Sequence, residues 1–94
     1  RTHEEAGALW ENFILSERLK RNSYSDSYCN YWFWRTQQQK EIDYIEEEDG
    51  HISTFEFKWN PAAKYKYPQN FLEAYPGSTF KVITPSNMDE FLLY

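Results

Sequence analysis

Cysteine is almost absent from this chain. A single residue, Cys29, among 94 permits no internal disulfide and no cysteine-based zinc site. That usage fits the reducing cytosol, and the expected role of Cys29 is a small, half-buried residue entering a strand. Histidine is nearly as scarce: His3 and His51 lie far apart, so a two-histidine metal site is not expected. Only three glycines are present and none belongs to a glycine-rich phosphate loop, so no ATP site is expected in the chain itself. No apolar run approaches the length of a membrane span, and no membrane partner is expected. Basic residues are outnumbered, ten Lys and Arg against fifteen Asp and Glu, for a formal net charge of −5. Affinity for a phosphate backbone comes from Lys and Arg neutralising phosphates. Any nucleic-acid role therefore needs a local patch or a partner domain. The chain begins at Arg1 with no signal-like or lipidation pattern, and we expect a fragment of a longer protein.

Aromatic residues, by contrast, make up 20% of the chain, so burial leans on rings rather than on aliphatic side chains. That argues for a folded unit over disorder, and residues 1–94 are expected to form one domain with a modest core.

The most informative stretch is Asp43 to Lys58, DYIEEEDGHISTFEFK. Two runs of period 2, Glu41–Glu47 and His51–Lys58, flank an Asp-Gly pair. Asp-Gly between such runs is a strong hairpin signal, because a type I′ turn needs positive φ at both central residues. With Asp49 and Gly50 as the loop, Glu48 pairs with His51, and opposed residues have numbers that add to 99. Asp43 then faces Glu56, and Glu41 faces Lys58. Side chains alternate along a strand. Glu41, Asp43, Ile45, Thr54, Glu56 and Lys58 therefore share one face, and Ile42, Tyr44, Phe55, Phe57 and Trp59 share the other, the expected core face. Directly opposed carboxylates stand about 4.5–5.5 Å apart at Cβ and destabilise a sheet. Such a pair calls for a nearby cation: Lys58, a metal, or both. The acidic run Glu46-Glu47-Glu48-Asp49 reads as a solvated hairpin tip.

Upstream, Glu4 to about Arg21 reads as a helix with Leu9/Phe13, Trp10/Ile14 and Leu15/Leu19 at i,i+4 spacing, preceded by Thr2 or His3. Glu11 sits among Leu9, Trp10, Ile14 and Leu15, so its carboxylate is expected to be partly buried. A polar loop, Asn22–Asn30, leads to an aromatic strand, Tyr31–Arg35, which completes an antiparallel meander with the hairpin. Asn60-Pro61 ends the third strand. Pro68 opens a helix carrying Phe71, Leu72, Ala74 and Tyr75, stopped by Pro76-Gly77. Thr79–Thr84 is a fourth strand that should run parallel to a neighbour through a right-handed crossover. Asn87 or Ser86 would cap a last short turn in which Phe91 and Leu92 pack back. Lys64 and Lys66, interleaved with Tyr65 and Tyr67, could hold a nucleic-acid strand; a strand-to-helix connection with snorkelling lysines is the simpler reading. The fold class is α/β, a mixed sheet in the order αβββαβ.

Carboxylates converging within a few ångströms favour a hard divalent cation such as Mg²⁺ or Mn²⁺. Lys58, two residues past Glu56, points to the same side and can orient a water or stabilise charge on a phosphoryl oxygen. The backbone carbonyl of Phe57 is a further candidate ligand.

The residues resemble a known family at this point. A helix acid, an Asp in the second strand of a meander and Glu-x-Lys in the third are similar to the core of the PD-(D/E)XK nuclease superfamily, as is the αβββαβ order. More narrowly, GALWENF, KEIDYI, FEFKWNP, FLEAYP and KVITP resemble the C-terminal domain of a bacterial and archaeal group of AAA-type ATPases, from about Gly7 to Leu93. The resemblance implies a restriction-endonuclease-like fold and an N-terminal P-loop ATPase domain on the same polypeptide. By position, Glu11 takes the place of the helix acid, Asp43 and Glu56 the metal-binding acids, and Lys58 the catalytic lysine. Ile42 stands where the superfamily often has proline.

Three readings follow. The first is a nuclease module that binds Mg²⁺ or Mn²⁺ at Asp43 and Glu56, assisted by Glu11 and Phe57, and uses Lys58 in phosphodiester hydrolysis on DNA. The second is a non-catalytic module that keeps the fold and serves its ATPase through contacts made by exposed aromatics, from Tyr28–Trp34 or Tyr65–Tyr67. The third takes Glu56–Lys58, Glu41–Lys58 and Glu11–Arg18 as ordinary ion pairs, worth little where exposed.

Overall fold

Thr2 starts the ordered architecture. Its hydroxyl oxygen accepts from the Glu5 N–H at 3.1 Å, so the first helix, α1, runs His3–Ser23. Glu4 and Glu5 lie in the first turn and Lys20 and Arg21 in the last, each the favoured sign for its end of the helix dipole. This computed structural model describes residues 2–25, 28–33 and 42–93, with the backbone alone at His3. The remaining elements are β1 (Asn30–Phe33), β2 (Tyr44–Glu48), β3 (His51–Phe57), α2 (Gln69–Ala74), β4 (Thr79–Ile83) and α3 (Met88–Leu92).

The strands form one four-stranded sheet in the order β1-β2-β3-β4, with β1 and β4 at the edges. β1 pairs antiparallel with β2, and β2 antiparallel with β3. β4 runs parallel to β3. Thr54 Oγ1 donates to the Thr79 carbonyl at 2.7 Å and the Lys58 N–H to the Ile83 carbonyl at 2.9 Å, so the two strands advance together. The mixed sheet and the αβββαβ order are as expected, with α3 added at the end. Of the expected first strand, Trp34 and Arg35 lie outside the described residues, as does Glu41 of the second.

The chain divides into two compact units. The first comprises Arg1–Ser27, Phe57–Ala63 and Ile83–Tyr94. Its buried residues are Trp10, Ile14, Phe57, Ile83 and Phe91. Complete burial of Ile14 contributes roughly 1.5–3 kcal/mol relative to exposure. The Phe57 and Phe91 rings meet edge-on at 5.6 Å, and Trp10 Nε1 donates to Met88 Sδ at 3.2 Å. Trp10 and Ile14 form the buried stripe of α1, whereas Leu9 and Phe13, expected to pack as a pair, are half-exposed. Trp59 is a further correction. It lies beyond the end of β3 and is partly exposed, so strand alternation no longer governs where it points. Its ring rests 5.7 Å from that of Trp10, and its Cβ stands only 3.3 Å from where a Cβ on Gly7 would lie. Asn87 precedes α3, but its Oδ1 accepts from the Thr84 N–H at 2.7 Å instead of capping the helix.

The second unit comprises Tyr28–Glu56 and Lys64–Val82. Tyr44 and Phe55 are buried on one face of the sheet, and Ile45, Thr54 and Glu56 are buried on the other. Both faces of the hairpin are therefore covered, where only the Tyr44 and Phe55 face was expected to be a core face. Tyr31, Phe33, Tyr44 and Phe55 form a chain of ring contacts across three strands, at centroid separations of 5.6–6.3 Å. Tyr65 and Tyr67 both touch Phe80 of β4, at 6.0 and 5.6 Å. They belong to the irregular connection between β3 and α2, with Lys64 and Lys66 exposed beside them. Cys29 is half-buried and directly precedes β1, as its composition-based role requires.

Candidate functional site

The hairpin turn has the conformation that Asp-Gly demands, with φ of 53° at Asp49 and 82° at Gly50. Two positive φ values make the type I′ geometry, whose twist matches that of the flanking strands. The register follows from it. Glu48 opposes His51, Glu47 Ile52, Glu46 Ser53, Ile45 Thr54 and Tyr44 Phe55, every pair adding to 99.

Asp43 departs from that ladder. The paired residues end at Tyr44↔Phe55, and the Asp43 N–H donates to the Phe55 carbonyl at 2.9 Å, one residue off the register. A bend at Asp43 accompanies the slip. The expected squarely opposed Asp43–Glu56 pair is thus not part of the ladder, where like charges set face to face would be destabilising. Asp43 is half-buried, whereas Glu56, inside β3, is only 6% exposed. A carboxylate at that depth is costly unless neighbouring groups compensate it.

The other expected site residues belong to the first unit. Glu11 lies on the third turn of α1 and is half-buried, as its apolar neighbours in sequence imply. Phe57 is the last residue of β3; its side chain is buried against Phe91. Lys58 follows it, half-buried, with its N–H on the Ile83 carbonyl. Glu41, the expected partner of Lys58, lies outside the described residues. Among the described residues, no group of three or more His, Cys, Asp or Glu could hold a metal ion.

The acidic run is not uniformly solvated. Glu46 is 6% exposed and accepts from the Tyr44 hydroxyl at 2.7 Å. Tyr44 and Glu46 are two apart on one strand and so share a face, the one signal in the sequence that could have marked Glu46 for burial. Glu47 Oε1 accepts from Asn30 Nδ2 at 2.9 Å, and its Oε2 from the Gly50 N–H at 2.8 Å. These two bonds, the Asn30 amide first and the Gly50 N–H second, hold the Glu47 carboxyl below the usual carboxylate range. Only Glu48 and Asp49 remain exposed at the tip.

The family model described as "Domain of unknown function (DUF4143)" matches residues 6–92. The chain belongs to this family. Glu11, Asp43, Glu56, Phe57 and Lys58 all fall within the span matched to DUF4143. Nothing among the curated proteins and nothing among the solved structures matches the chain.

Proposed function

We propose that this DUF4143 domain is a non-catalytic interaction module, nuclease-like in ancestry, that docks on a P-loop ATPase domain of the same polypeptide. The observation that carries this reading is the outer strand β1. Three consecutive aromatic residues there, Tyr31, Trp32 and Phe33, are 47%, 50% and 43% exposed. Because strand side chains alternate, the exposed rings lie on both faces of an edge. Edges that carry exposed apolar side chains attract a partner, and isolated domains normally blunt them with charge or proline. Aromatic side chains are also the residue type most enriched in buried interface cores. The test is binding of the separately produced ATPase portion by calorimetry. Trp32→Ser with Phe33→Ser should weaken binding at least tenfold, while Asp43→Ala leaves it unchanged. The reverse pattern would tie recognition to the carboxylate and overturn the reading.

A second reading, divalent-metal-dependent phosphodiester hydrolysis on DNA, draws its support from Glu56, a carboxylate buried inside β3, with Asp43 in the bend just before β2. Their oxygens suit Mg²⁺ or Mn²⁺, which would polarise a phosphoryl oxygen. Lys58 would steady the charge that develops there, with Glu11 and the Phe57 carbonyl as the remaining expected contributors. A residue-by-residue NMR titration with Mg²⁺ and Mn²⁺ should then shift Asp43 and Glu56 first, and Lys58→Ala should abolish cleavage. No response at millimolar metal, or equal cleavage by wild type and variant, removes this reading.

A further inference from the structure

A cleft of about 450 Å³ opens in the second unit, where the hairpin tip meets the turn between α2 and β4. Its walls include Asp49, His51 and Ile52 on one side and Tyr75, Pro76 and Ser78 on the other. The volume is that of a small-ligand pocket, roughly 300–1,000 Å³.

The polar groups facing this space have unused capacity. The Asp49 carboxylate and the His51 imidazole have no hydrogen-bond or ion-pair partner among the described residues. Tyr75 is 49% exposed, but its ring is held against that of Phe71 at a centroid separation of 4.7 Å. It offers a fixed aromatic face.

These groups share a chemical sense. A carboxylate accepts only, a neutral imidazole has one accepting nitrogen, and the face of a tyrosine ring attracts a cation. Glu48 is exposed beside Asp49, and the chain carries a net charge of −5, so the local potential favours a positive ligand. The complementary ligand is a flat cation with several N–H donors. A guanidinium meets each requirement: it forks onto a carboxylate, stacks on a ring and keeps a donor for an imidazole nitrogen. An ammonium has the charge without the plane.

We propose that the cleft between the hairpin tip and the α2–β4 turn is a recognition site for an arginine side chain presented by a peptide. The assignment is independent of the β1 surface. It uses Asp49 for charge and Tyr75 for stacking.

The test is a ¹⁵N NMR titration of the 94-residue chain at pH 7.5 and low salt with acetyl-Gly-Arg-Gly-amide. The result expected is a saturable shift confined to the amides of Gly50, His51, Ile52, Gly77 and Ser78. Asp49→Asn should weaken binding about tenfold through loss of the charge-assisted bond. Asn suits the same positive φ, and an otherwise unchanged spectrum verifies the fold. Tyr75→Leu should also weaken it several-fold, and the lysine peptide of the same length should bind several-fold less tightly than the arginine peptide. Failure to saturate, an Asp49→Asn variant that binds like the wild type, or an equal response to the lysine peptide would overturn the proposal.

Discussion

Arg18 and Phe91 meet twice. The guanidinium carbon lies 4.5 Å from the centroid of the Phe91 ring, and Arg18 Nη1 donates to the Phe91 carbonyl at 2.6 Å. The bond reaches from α1 to α3, whose last turn has carbonyls without helical partners. One cationic side chain therefore supplies both a donor for a helix terminus and a cation over a ring.

Replacing Arg18 with Ala removes both interactions and leaves the Phe91 carbonyl to find water. A hydrogen bond from a charged donor together with a cation–π contact predicts a loss of roughly 2–3 kcal/mol. Urea unfolding of wild type and Arg18→Ala measures it. Arg18→Lys should recover only part, because an ammonium cannot stack and donate in the same geometry. A lysine variant as stable as the wild type would mean that charge alone matters.

The second prediction concerns the buried pair in the acidic run. Tyr44 is completely buried, and its hydroxyl donates to Glu46 Oε2 at 2.7 Å. Tyr44→Phe keeps the ring contacts with Phe33 and Phe55 but deprives a buried carboxylate of a donor. The expected cost is about 1–3 kcal/mol, read from the urea midpoint. The double variant Tyr44→Phe/Glu46→Gln should be less destabilised than the sum of the two single variants, since each partner is then removed with the other. Additive losses would show that the bond contributes nothing of its own.

Tyr44 and Glu46 also show where sequence patterning stops. The Asp-Gly turn, the register adding to 99 from Glu48↔His51 to Tyr44↔Phe55, a start of α1 at Thr2 or His3 and the parallel direction of β4 rest on local chemistry or connection rules, and all four are found, with Thr2 as the cap. The polarity of each hairpin face rests on what covers it. A central strand can be buried on both sides, and period-2 alternation of polar and apolar letters does not reveal a cover made by distant residues. Thr54 and Glu56 accordingly lie off the face read as core and are nevertheless buried in the fold. The same limit applies to Leu9 and Phe13, whose i,i+4 spacing suits a stripe while the buried stripe runs through Trp10 and Ile14. For the candidate site, the placement of Glu56 inside the third strand was legible. The one-residue slip at Asp43 was not, because a bend of this kind depends on backbone hydrogen bonding that no residue type in DYI announces.

A pH effect follows from Glu47. Its pKa is lowered in the fold, chiefly by the Asn30 amide and then by the Gly50 N–H. A depressed carboxylate stabilises the fold above its unfolded pKa, about 4.3 for Glu. That contribution is lost as pH falls from there through the lowered folded value. Asn30→Ala should move the Glu47 pKa up towards the ordinary range and make stability less steep on the acid side. Titration of the Glu47 side-chain carboxyl by ¹³C NMR, with urea midpoints across the same interval, checks both halves. An unchanged Glu47 titration in Asn30→Ala would assign the whole shift to Gly50.

The hairpin turn gives the last test. Gly50 has a φ of 82°, and a Cβ added there would meet nothing within 4 Å. Any cost of Gly50→Ala therefore comes from backbone conformation and not from a clash with neighbours. An L-residue held in the left-handed region loses roughly 1–2 kcal/mol, so Gly50→Ala should lower stability by about that much. Asp49→Asn, at a φ of 53°, should stay within about 0.5 kcal/mol of the wild type, because Asn is at ease there. Equilibrium urea unfolding distinguishes the two, and the amide spectrum shows whether the Glu48–His51 pairing survives. If Gly50→Ala is as stable as the wild type while the pairing persists, the turn is accommodating positive φ without glycine and the strain argument fails. If stability is kept but the pairing register changes, the hairpin has relaxed into a different turn, and Asp43 and Glu56 should shift with it.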